Sequence, residues 1–214
     1  MQLEVLKDEG SRIQFHAKGA SVALVNALRR AVLSDLECFA VDTVDFYENN
    51  SVMFNEYLAN RIGMIPLTWE ESYADDAQVS LSLNAEGPGM VYSRDLRSSD
   101  EKIKPANENI PIIKLAADQK LRFEAFAVKG TAKTHAKFQC AMASYAYYPA
   151  KGRMTDIKDA DKDTGDGKPA EYKEGEFIFL VESYNNVPAR EQLKRAAQLI
   201  EAKAEALSKE KELK

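Results

Sequence analysis

Residues 24–32 read LVNALRRAV, and the helix they imply sets the terms for the whole chain. From Ser21 to Leu36 the pattern is apolar on more sides than a surface helix needs, yet it carries two consecutive arginines. Leu24, Val25, Leu28, Ala31 and Val32 follow spacings of three, four and seven, so they share a face. Val22 and Leu33 widen that face, and Ser21 stands where an N-cap belongs. Arg29 and Arg30 project about 100° apart and do not serve one compact site equally. Two readings stand side by side. Both arginines snorkel at the rim of a buried face, or one fills a carboxylate or carbonyl site on a partner, which the planar guanidinium suits.

Upstream, LEVLKDEGSRIQFHAKG (3–19) is two alternating strands joined by a turn at Asp8-Glu9-Gly10. Ile13, Phe15 and Ala17 point one way; Arg12, Gln14 and His16 point the other, so His16 is expected to face solvent. Downstream, FAVDTVDFYEN (39–49) is a strand, and NEYLANRIGMIPL (55–67) is a short helix with Leu58, Ile62 and Ile65 inward, ended by Pro66. Strands dominate from 79 to 148. VSLSLN (79–84) alternates strictly, KLRFEAFAV (120–128) is apolar and aromatic, and KFQCAMASYAYY (137–148) is read as one strand with Phe138, Cys140, Met142 and Ala146 on one face. The polar stretch between, SSDEKIKPANENIP (98–111), is a loop. Residues 150–173 are charged and poor in apolar side chains, so an exposed polar loop is expected there. EFIFLVES (176–183) has the continuous apolar character of a strand buried on both faces. A last helix begins near Pro188, with Leu193, Ile200 and Leu207 at seven-residue intervals and Ala196, Ala197 and Ala204 between them.

The order is β-β-α, a β-rich block, then β-α. This predicts an α+β protein: a discontinuous α/β domain from both chain ends, 1–45 plus 174–214, with a β-rich domain inserted over 46–173. Neither terminal helix has an evident second helix in this chain. Each apolar side chain fully buried contributes about 1.5–3 kcal/mol, and two bare stripes in water invite association. The expectation is that both helices pack against another chain; packing only on their own sheet is the alternative.

The composition narrows the function further. A formal charge of −5 over 214 residues is opposite in sign to that of a protein working on nucleic-acid phosphates, so no direct specific nucleic-acid binding is expected. Cys38 and Cys140 are too few for a disulfide framework or a zinc or iron–sulfur site, and no cofactor is expected. The opening MQLEVLKDEG lacks the basic and apolar regions of a secretory signal, and no apolar run is long enough to span a bilayer, so a cytoplasmic protein is expected. The chain has only two histidines, His16 and His135, and no recognisable nucleophile motif or phosphate loop. DADKDTGDG (159–167) alternates acids as a calcium loop does. Read from Asp159, however, it has Thr164 where Gly is needed and Ala170 where Glu is needed, and the register from Asp161 fails likewise.

Four blocks in order carry a resemblance. Asn26 to Leu67, VYSRDL (91–96), IPIIKLAADQKLRFEAFAVKGTAKTHAKF (110–138) and FIFLVESYNNVPAREQLKRAAQLI (177–200) together resemble the D-type subunits of archaeal DNA-directed RNA polymerase. That family is the counterpart of the N-terminal domain of the bacterial alpha subunit and of the third-largest eukaryotic polymerase subunit. The resemblance implies a dimerisation domain built from both chain ends, whose first and last helices pack against a small partner, subunit L. Leu24, Leu28, Val32, Leu193, Ile200 and Leu207 are then candidate interface residues, and Asn26, Arg29 and Arg30 lie toward a large catalytic subunit. Small subunits N and P would join the same assembly. In this reading the opening helix is apolar because another chain covers it. Arg61 is a candidate for an internal or inter-subunit ion pair or for a helix cap, and His135 for a structural or subunit-contact role. Many archaeal relatives carry an iron–sulfur insertion and the eukaryotic one a zinc loop; here the corresponding stretches, 150–173 and EESYADDAQ (70–78), hold no cysteine. The function implied is a non-catalytic assembly subunit of a DNA-directed RNA polymerase. The competing readings are an independent enzyme with a site in the β-rich domain, and a stand-alone acidic protein-interaction module.

Overall fold

A computed structural model describes residues 1–161 and 171–210. In chain order the elements are β1 (Gln2–Asp8), β2 (Arg12–Lys18), α1 (Val22–Arg30), β3 (Glu37–Asn49), α2 (Asn55–Gly63), β4 (Gln78–Glu86), β5 (Gly89–Tyr92), β6 (Arg97–Ser98), β7 (Pro111–Leu115), β8 (Lys120–Thr131), β9 (Ala141–Pro149), β10 (Tyr172–Ser183) and α3 (Ala189–Lys209). They form two compact units, Met1–Leu36 with Ala141–Lys214, and Glu37–Cys140. The discontinuous arrangement is present, but the boundaries expected at 45/46 and 173/174 fall at 36/37 and 140/141. The reason is strand pairing. All of β3 pairs with β8 inside the second unit, and β9 pairs with β10 inside the first. The stretch 137–148 is accordingly not one strand: Ala136–Phe138 is a 3-10 turn in the second unit, and the strand starts at Ala141.

The first unit is a four-stranded antiparallel sheet in the order β1-β2-β10-β9. Phe15, opposite Phe179, and Ala17, opposite Phe177, lie on one face, with Tyr145 and Tyr147 next along. Phe15 and Phe179 stack at 5.1 Å, and the face is covered by α1, the turn after it, and α3. The other face carries Gln14, His16 and Ile178. Met154 and Ile157 turn onto it, Met154 buried and Ile157 packed on the cluster of Tyr148, Met154 and Ile178, while Lys151, Gly152, Arg153, Thr155 and Lys158 are exposed as expected of a polar loop. The later part of that loop, and the calcium-loop comparison at Asp163 and Thr164, lie outside the described residues.

The same face of the sheet holds His16, which, contrary to expectation, does not meet solvent. Strand alternation placed it away from the aromatic face, but it is 5% exposed, stacked 3.9 Å from the Tyr148 ring, with Nε2 2.8 Å from Glu176 Oε2. Burial holds its pKa below the ordinary histidine value, and the Glu176 carboxylate opposes that shift only in part. The unfolded chain therefore takes up this proton more readily than the folded one. The neutral-state stability is complete above the ordinary value of 6.5 and is lost as pH falls below it. His16→Phe keeps the ring stack and removes the proton. The expected result is a flatter stability–pH curve below pH ~6.5, measured by urea unfolding at several pH values.

The second unit is built on the sheet β3-β8-β4-β6, with β5 and β7 paired beside it. Val79, Leu81 and Leu83 from β4 and Leu121, Phe123 and Ala125 from β8 are 4% exposed or less, and the inward side chains of α2, Leu58 and Ile62, close over them. Ile103, fully buried, anchors the 98–111 loop to this core. β3 is the outer strand. It carries exposed Asp42, Asp45 and Glu48, and its pairing with β8 is broken by register shifts between Val41 and Thr43 and between Phe46 and Glu48. Opposite Cys38, β8 has Gly130, where an added Cβ would sit 2.7 Å from the Phe138 ring. Glycine is needed there for the ring to close.

Candidate partner interface

In the first unit, α1 begins where Ser21 Oγ accepts a hydrogen bond from the Leu24 amide at 3.2 Å, the cap expected from sequence. The inward position is taken by Val25, 4% exposed. Leu24 lies about 100° from it around the helix and is 39% exposed, with Leu28 between them and half-buried. Ala31–Asp35 then continues as a π-helical turn, which holds an extra residue per turn and shifts the phase of the residues beyond it. Val32 ends up 1% exposed, inside its own unit. It is seven residues from Val25 and so on the same inward side of the helix, which its own sheet covers, and it is therefore not one of the partner-facing residues.

The final helix behaves similarly. Its buried line is Ala189, Gln192 and Ala196, small or hydrogen-bonded groups that let the helix approach the sheet closely. Gln192 Nε2 donates to Asn186 Oδ1 at 2.8 Å and to Ser183 Oγ, tying the helix to the turn before it. Leu193 and Ile200 flank this line half-buried. Leu207 is 63% exposed, in a segment, 201–210, that is exposed throughout. Two ion pairs fix the helix: Arg190 with Asp8 at 2.7 Å near its start, and Lys203 with Asp35 on the π turn. The apolar side chains left bare are Val22 and Leu24 on α1 and Leu207 on α3. Leu3 and Val5 on the edge strand β1 are also bare, and they belong to the helix-bearing face of the sheet. Sequence reasoning passed over Leu3 and Val5, which the hairpin register sets opposite Ala17 and Phe15.

The arginine pair divides as the helical angle requires. Arg29 turns back, its Nε and Nη2 donating to Asn26 Oδ1 at 3.2 and 3.0 Å, whereas Arg30 is exposed. Arg61, in the second unit, donates to the carbonyls of Ile112 and Pro111 at 2.9 and 2.7 Å, and His135 caps the turn at 136–138 by accepting from the Lys137 amide. Both cysteines are buried, with the Cys38 thiol donating to the Phe138 carbonyl. An iron–sulfur cluster takes four thiolates, and these two buried residues do not fit one. Among the described residues no group of three or more His, Cys, Asp and Glu side chains converges on a point suited to a metal, and no helix is long and apolar enough to cross a membrane. Among the described residues, the first unit bares apolar side chains on α1, α3 and β1.

Comparison with known proteins bears on what that surface meets. Residues 41–144 match the RNA polymerase Rpb3/RpoA insert domain, close to the limits of the second compact unit. The chain is similar to the DNA-directed RNA polymerase subunit Rpo3 of Thermococcus kodakarensis, with 36% identity covering 96% of this chain and 95% of that protein. It is 37% identical to the subunit of the same name in Natronomonas pharaonis, over 94% of this chain and 93% of that one. It is 47% identical to that of Pyrococcus furiosus over 69% of this chain and 59% of that one.

Proposed function

The chain belongs to the family of DNA-directed RNA polymerase subunit Rpo3, and from that premise we propose that it serves transcription as a non-catalytic assembly subunit. Its terminal helices pair with the small subunit L, and the pair forms the platform on which small subunits N and P and the large catalytic subunits gather. The reaction is nucleotidyl transfer carried out by other chains of the polymerase, in the cytoplasm; this chain contributes position only. It works without metal or iron–sulfur cluster, in keeping with its two inward-facing cysteines.

The observation that carries this reading is the bare apolar strip on α1 and α3, Val22, Leu24 and Leu207, beside half-buried Leu28, Leu193 and Ile200. Bare apolar side chains on both terminal helices are what a covering partner would shield from water. Asn26 and Arg29, joined to each other, and exposed Arg30 stand at the end of this strip as its polar rim toward a large subunit. Interfaces commonly combine an apolar centre with such a rim.

Expressed alone, the chain is expected to self-associate or precipitate. Co-expressed with subunit L it should elute as a soluble one-to-one complex. Light scattering that finds a stable monomer indifferent to that subunit would remove the reading.

A further inference from the structure

Helix α2 carries two apolar stripes, and its own unit uses one of them. Leu58 and Ile62 are fully buried, with Ile65 beyond the helix end at 3%. The second stripe runs from the N-cap Phe54 through Tyr57 and Arg61 to the C-cap Met64 at spacings of three, four and three, which is again one helical face. Its apolar members are 71%, 65% and 53% exposed. Val52 and Met90, at 79% and 45%, extend the same bare surface.

Two hollows of about 310 and 330 Å³ indent this surface, and Arg61, Pro111 and Ile112 line both. Arg61 is exposed, but its two hydrogen bonds to backbone carbonyls of β7 hold the guanidinium in place between the hollows. They also consume the acceptors that an added strand would need at that point. A guanidinium already fixed loses little freedom when it takes a carboxylate. The charge around it has one sign. Among the described residues lining the hollows none is acidic and two, Arg61 and Lys114, are cationic, on a chain whose net charge is −5. Phe, Tyr, Met and Arg are also the residue types enriched where proteins meet, and methionine adapts its shape to what enters.

We propose that this outer face of α2 is a second docking surface, one that takes a segment of another polymerase chain bearing an aspartate or glutamate between two apolar side chains. The carboxylate sits on Arg61 and an apolar side chain enters each hollow. The inference rests on the assembly role above only in that a polymerase supplies the partner.

The test places a photo-crosslinking phenylalanine derivative at Asn60, which lines one hollow, at Met90, which lines the other, and at Leu207 on α3, each in the full chain assembled into polymerase. Irradiation at positions 60 and 90 should mark one segment of one other chain, with an acidic residue between the two marked points. Arg61→Gln, checked for an unchanged melting temperature, should cut both yields about tenfold or more, since a lone buried carboxylate is costly. Marking at 207 without marking at 60 and 90 overturns the inference and leaves the assembly role standing. A marked segment without a carboxylate, or yields indifferent to Arg61→Gln, overturns it too. A chain that fails to co-purify with other polymerase subunits removes the assembly role and this inference together.

Discussion

In the proposed pairing with subunit L, Leu24→Asp is expected to weaken binding by about 100-fold or more while leaving the chain folded. Leu24 is 39% exposed in the free chain, so its replacement costs the fold little. At the centre of an interface the same change removes an apolar anchor, worth about 2 kcal/mol or more at such positions. It also places a carboxylate where water is excluded, which adds at least about another kcal/mol. Together these exceed the ~2.8 kcal/mol that corresponds to 100-fold in Kd. Val32→Asp is the informative contrast. That residue is 1% exposed within its own unit, so the substitution should unfold the chain rather than spare it. Calorimetric titration with the partner, set beside thermal melts of each variant, separates the two effects. Undiminished binding by a folded Leu24→Asp variant would place the interface elsewhere.

The second large effect concerns stability. Phe123 sits on β8, between β3 and β4, is 1% exposed, and packs its ring 5.7 Å from that of Phe46. Phe123→Ala deletes a buried ring and leaves a cavity that neighbouring strands cannot close, a change that costs about 3–5 kcal/mol. Against a typical total of about 5–15 kcal/mol, that is a large share of the whole. Urea unfolding should show the midpoint falling steeply. Val52→Ala, at a site 79% exposed, should stay within about 0.5 kcal/mol of the parent. A loss below about 1 kcal/mol for the phenylalanine would mean that the strand is not packed as described.

Much of this architecture is written locally in the chain. The first hairpin, the Ser21 cap, the strict alternation of β4 and the apolar run of β10 are short-range patterns, and each forms where its residues require. Long-range pairing is not written that way. Nothing within KFQCAMASYAYY marks Cys140 as the end of one unit and Ala141 as the start of the next. That depends on which strands accept the edges on either side. His16 and Val32 fail for related reasons: the Tyr148 ring of β9 and the Glu176 carboxylate of β10 cover the first, and the chain's own sheet takes the helix face that carries the second. The outer stripe of α2 was legible all along. Phe54, Tyr57, Arg61 and Met64 have regular spacing, but the stronger inward stripe of Leu58 and Ile62 satisfied the expectation of one apolar face and hid the other.

The long outer strand β3 bears on how the unpaired chain behaves. A free edge of this length normally recruits copies of itself into a continuous ladder. Here two kinks interrupt its line, and Asp42, Asp45 and Glu48 would confront their own duplicates across any such seam. Fibrous growth is thereby discouraged along that border. Clumping of orphaned molecules should then arise through the greasy helices, as a disorderly but reversible precipitate that adding the missing partner can dissolve.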